Sequence, residues 1–137
     1  MKLLLKQTLS KITEEAEDYD ESFDLVDKVI AEYGEKNLAS RLYGDIDQSI
    51  DWQTIANLFS ILEWSTSDNG TELSRETNQW LKEANDERKI NIAMNLTTYP
   101  FLEFQEMVKV LNHVAERFPS LKRNCEEMIR KRCEIGA

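Results

Sequence analysis

Apolar residues recur along most of the chain at steps of three and four, the spacing that gathers them on one side of an α-helix. Leu5, Leu9 and Ile12 share one side of a first helix expected over about 2–16. Phe23, Val26, Ile30 and Tyr33 do the same for a second, which starts near Ser22 and stops at Gly34. Asp24 and Asp27 fall on its opposite face. A short third helix is expected from Lys36 to Tyr43, ended by Gly44. Trp52–Trp64 differs, with one charge, Glu63, and apolar side chains nearly all the way round. Such a helix belongs at the centre of its domain, and Asp51 is placed to cap it.

The turn formers of Ser65–Gly70 interrupt this pattern. A fifth helix is expected over about 71–84, with Leu73, Thr77, Trp80 and Leu81 on its buried side. Asn85-Asp86 caps a sixth, whose apolar positions are Ile90, Ala93, Met94 and Leu96, and Pro100 closes the stretch after it. The cleanest amphipathic stripe follows: Phe104, Met107, Val108, Leu111, Val114, Ala115 and Phe118. Pro119 ends that helix, and Ser120 is the expected cap of the last. There Leu121, Cys125, Met128 and Ile129 face inward and Lys122, Arg123, Arg130, Lys131 and Arg132 largely outward. Four Gly and two Pro in 137 residues leave few breakpoints, and no strand pattern or exact repeat occurs. The expectation is an all-α single domain over 1–137, a bundle or irregular stack of seven to eight short antiparallel helices.

Charge sharpens the picture. Residues 1–70 hold six Lys/Arg and fifteen Asp/Glu, and residues 71–137 hold eleven of each, so the whole excess of nine negative charges lies in the first half. Such a chain repels nucleic acid and anionic membrane and attracts basic partners. Leu3–Leu5 is too short for a signal-peptide core, and no apolar stretch approaches a membrane span. Cys125 and Cys133 lie on one expected helix, separated by a rise of roughly 12 Å, too far for a disulfide. Both are expected reduced and the protein cytoplasmic.

Catalytic and metal signatures are missing from the pattern. Asp18, Asp20 and Ser22 have the spacing of a calcium loop, but Phe23 and Val29 stand where it needs Gly and Glu. Asp45, Asp47 and Ser49 fail in the same way, at Ile50 and Ala56. His113 has no neighbouring ligand type in sequence, and Cys125 reads as a structural thiol. No phosphate loop, dinucleotide fingerprint or nucleophile elbow occurs. The chain is expected to be a binding protein, not an enzyme, with no cofactor and no metal.

The densest feature is Glu14–Asp27, with eight acids and no base. Acids at a helix N-terminus complement its dipole, which accounts for two or three of them. Like charges at four-residue steps, Glu14 with Asp18 and Asp20 with Asp24, each cost about 0.2–0.5 kcal/mol. Two readings stay open: the basic last helix docks on the run, or the run faces outward and meets a cationic partner. Under the second, the candidate partner-binding residues are Glu17, Asp18, Tyr19, Asp20, Glu21, Asp24 and Asp27, with Asp45, Asp47 and Asp68 as further acids. Phe23 is expected in the core.

The segment "LFSILEWSTSDNGTELSRETNQWLKEANDERKINIAMNL" (58–96) places a polar turn between a buried helix and a Trp-bearing one. In this it resembles helical immunity proteins of bacterial polymorphic toxin and contact-dependent growth inhibition systems, over less than a third of the chain. The resemblance implies tight binding to a cognate toxin domain, often a basic nuclease, whose active site or substrate surface is occluded. It implies no catalytic residue, and the charge leads to the expectation of no direct contact with nucleic acid and no membrane association. An acidic helical adaptor, or a nucleic-acid mimic that blocks a host enzyme, is the alternative that the charge pattern also allows.

Overall fold

The structure is a computed structural model that describes residues 1–15 and 19–135. Among them are eight α-helices, one 3₁₀ turn and no strand, so the chain is all-α. The helices are α1 (Leu3–Glu15), α2 (Asp20–Tyr33), α3 (Leu38–Asp45), α4 (Trp52–Ser65), α5 (Thr71–Glu83), α6 (Glu87–Met94), α7 (Phe104–Arg117) and α8 (Lys122–Glu134). The chain divides into two compact units, Met1–Glu76 and Thr77–Ala137, with the division inside α5.

In the first unit α1 and α2 run antiparallel. Lys2, before α1, reaches Glu32 near the end of α2 at 3.2 Å, while Lys11 reaches Glu21 at the start of α2 at 2.9 Å. Both helices pack on α4. The stripes foreseen for α1 and α2 are buried at Leu5, Leu9, Ile12, Val26 and Tyr33. Helix α4 buries Ile55, Ala56, Leu58, Phe59, Ile61 and Leu62, and Asp51 caps it by accepting from the Thr54 N–H at 2.8 Å. Two aromatics depart from expectation. Trp64 is 69% exposed and Phe23 40% exposed, because each sits off the buried stripe of its helix. The turn between α4 and α5 is tight: Gly70 adopts φ +79°, and a Cβ there would lie 2.9 Å from Glu63 Cα.

The second unit packs Leu81, Ala84, Ile90, Ala93, Met94, Phe101, Met107, Leu111, Val114, Leu121 and Cys125 into one core. Asp86 caps α6 by accepting from the N–H groups of Arg88 and Lys89. Ser120 does not cap α8. It lies inside the 3₁₀ turn Pro119–Leu121, and its hydroxyl donates to Glu87 at 3.2 Å. Arg132 also departs from its expected outward position: it is half-buried, and its guanidinium donates to the carbonyls of Pro100, Phe101 and Leu102. It also sits over the Phe104 ring at 5.8 Å. Phe101, at φ +64°, is left-handed, and Leu102 beside it is fully exposed.

Candidate protein-binding surface

The acidic run does two different jobs. Helix α2 starts at Tyr19 without a side-chain cap of its own. The carboxylate of Glu15, the last residue of α1, supplies it, accepting from the Ser22 N–H at 2.8 Å, the Ser22 hydroxyl at 2.7 Å and the Glu21 N–H at 3.3 Å. The Ser22 hydroxyl, followed by its N–H, holds the Glu15 carboxyl below the ordinary carboxylate range. Lys11 pairs with Glu21 at 2.9 Å and with Glu14 at 3.5 Å, and the bond to Glu21 raises the Lys11 pKa. Glu14, Glu15 and Glu21 therefore serve the α1–α2 junction. Glu17 and Asp18 lie outside the described residues.

What remains is a stripe. At 100° per residue, Asp20, Asp24 and Asp27 fall diametrically opposite the buried Ser22, Val26, Val29 and Tyr33 of α2. All three aspartates are exposed, and Asp24 and Asp27 make no hydrogen bond or ion pair among the described residues. Asp24 also borders an open groove of about 620 Å³ between α1 and α2, with Leu3 and Leu25 among its walls. Leu3 is exposed there, and Phe23 is exposed on α2 beside Asp24 in sequence. Tyr19 is half-buried at the head of the helix.

The further acids lie elsewhere, and each serves local structure. Asp45 accepts from the Tyr33 hydroxyl at 2.7 Å; burial, then that carboxylate, pushes the phenol up to about 12. Asp47 accepts from the Ser49 N–H at 2.8 Å and faces a separate groove beside Ser10 and Thr13 of α1. Asp68 organises the α4–α5 turn, taking the Glu72 N–H at 3.0 Å and the Thr66 hydroxyl and Gly70 N–H at 3.1 Å each. Those bonds, the Glu72 N–H first, hold its carboxyl low. The structure therefore gathers Asp20, Glu21, Asp24 and Asp27 on α2 and leaves Asp45, Asp47 and Asp68 apart from them.

Three basic side chains of α8 are occupied locally. Arg130 pairs with Glu127 at 2.6 Å and with Glu134, Lys131 lies 3.9 Å from Glu127, and Arg132 holds the loop before α7. His113 is exposed on α7. Cys125 is buried, which pushes its thiol up to about 11 and keeps it from acting as a thiolate. Among the described residues no group of three or more His, Cys, Asp or Glu is placed to hold a metal ion. No helix among the described residues is long and apolar enough to cross a membrane.

Besides Phe23, sequence reasoning missed the exposure of Trp64 and Leu102. Trp64 carried a faint signal, as the last large residue before a polar turn; Leu102 carried none, because its exposure follows from the left-handed Phe101. Neither a family model, nor a curated protein, nor a solved structure matches this chain.

Proposed function

We propose that the chain is an immunity protein that neutralises a cognate toxin domain, a basic nuclease, by binding and occluding it through the outer face of α2. One observation carries this reading: Asp24 and Asp27 stand exposed, without partners among the described residues, on the side of α2 opposite its buried stripe. Local structure accounts for Glu15, Glu21, Asp45, Asp47 and Asp68, and on this reading Asp24 and Asp27 are left for an external cation. Lysines and arginines that hold phosphate in a nuclease are the cations such a stripe attracts, and pairing with them blocks the substrate surface. The bordering groove, with Leu3 and Leu25, supplies apolar contact beside the charge. The chain acts on this reading by occupancy, with no reaction and no cofactor, in the cytoplasm where its toxin would do damage.

The test is capture of the partner from the native cells, followed by association kinetics at low and high salt. Association slows on the order of tenfold for the Asp24→Lys, Asp27→Lys double variant at low salt, and its salt dependence flattens. Equal association rates at low and high salt overturn the electrostatic reading. A captured host DNA- or RNA-binding enzyme, in place of a dedicated toxin, turns the assignment to a nucleic-acid mimic.

A further inference from the structure

The second unit contains a pocket unconnected with the acidic stripe. It is open, about 430 Å³ in volume, and lies between the end of α6, the loop after it and α8. Its apolar lining is Met94, Tyr99 and Met128. Methionine thioethers are adaptable and make favourable contacts with aromatic rings, and a tyrosine adds a flat, rigid face. Tyr99 directly precedes the three carbonyls that Arg132 holds, so the rim that carries the ring is fixed before a ligand arrives.

The polar lining is biased to one sign. Arg123, Asn124 and Lys131 line the pocket from α8. Glu127 is the pocket's carboxylate, and it pairs with Arg130, outside the lining, at 2.6 Å. Arg123 makes no hydrogen bond or ion pair among the described residues. A guanidinium without a partner among the described residues, in one lining with a primary amide, two thioethers and an aromatic ring, matches a planar anion joined to an apolar ring. The volume falls in the ordinary range for small-molecule sites, about 300–1,000 Å³.

We propose that this pocket binds a small aromatic carboxylate, with its ring against Met94, Tyr99 and Met128 and its carboxylate on Arg123 and Asn124. The inference does not rest on the function proposed above, since it concerns a different unit and the opposite charge.

The probe is 2-naphthoate, with 2-naphthamide as its uncharged counterpart, titrated into the full chain and followed by NMR of the methionine methyls and backbone amides. Naphthoate should move the Met94 and Met128 methyls and the Tyr99 amide, and naphthamide should bind about tenfold more weakly. Arg123→Glu, at an exposed position, should weaken naphthoate about tenfold and leave naphthamide unchanged. Tyr99→Ser should weaken both. The proposal is overturned if naphthoate shifts resonances around Trp64 or Leu102 instead, if Arg123→Glu binds it as well as the parent chain does, or if nothing moves at millimolar probe.

Discussion

The Glu76 carboxylate of α5 accepts the backbone N–H of Ala39 at 3.0 Å and so closes the start of a helix 37 residues earlier in the chain. Helix α3 has no cap of its own: Asn37 stands before it at a left-handed φ of 52°, with its side chain uninvolved. The same carboxylate reaches the Ser40 N–H at 3.4 Å. Glu76→Ala leaves those donors unsatisfied in a buried site and should lower stability by about 2 kcal/mol. Glu76→Gln keeps an acceptor and should lose less. Urea unfolding of the two variants gives the comparison.

Glu15 makes stability depend on acid. Its folded-state pKa is lower than the ordinary 4.5 because Ser22 and the α2 N–H groups favour the charged form. A carboxyl with a depressed folded value stabilises fully above its unfolded value and loses that contribution as the pH falls through the folded one. Melting temperature should therefore drop between about pH 5 and pH 3. Glu15→Gln should flatten that limb and lower the neutral-pH plateau. An unchanged acid limb in Glu15→Gln would show that other carboxyls set it.

Gly70 faces two penalties at once. A side chain there must adopt φ +79°, and its Cβ must come within 2.9 Å of the Glu63 backbone. Left-handed strain and overpacking together should cost Gly70→Ala about 3 kcal/mol. Gly34 provides the control: it also has positive φ, but nothing lies within 4 Å of its Cβ site, so Gly34→Ala should cost distinctly less. Thermal melts of both variants separate the steric part from the conformational part.

The two thiols should react unequally. Cys133 is exposed, whereas Cys125 is buried with its thiol raised to about 11. Iodoacetamide at about pH 8 should label Cys133 rapidly in the native protein and Cys125 only after denaturation. Intact-mass analysis would count one adduct and then two. Fast double labelling without denaturant would contradict the burial of Cys125.

Much of the fold was legible because local rules decide it. Leu5, Leu9 and Ile12, the all-round apolar α4, and the Asp51 and Asp86 caps each depend on residues within a turn or two of one another. What escaped depends on residues far apart. Nothing near Glu76 announces that it caps a helix starting at Leu38, and nothing near Arg132 announces that it will hold the carbonyls of residues 100–102. Hydrophobicity alone also placed Phe23 and Trp64 wrongly, since exposure follows from the angle at which a helix meets its neighbours. In the acidic run the sequence exposed the excess of charge but not its division. Glu15 and Glu21 could be told from Asp24 and Asp27 only once the junction with α1 was seen.

That division leaves the two aspartates of the outer α2 stripe unusually free to change. Nothing among the described residues leans on them, and exposed replacements on such a face shift stability by no more than about 0.5 kcal/mol. Aspartate is also among the poorer helix formers, so many substitutes suit α2 at least as well. This face can therefore change residue by residue while the Glu15 and Lys11 contacts at the head of α2 keep the scaffold intact.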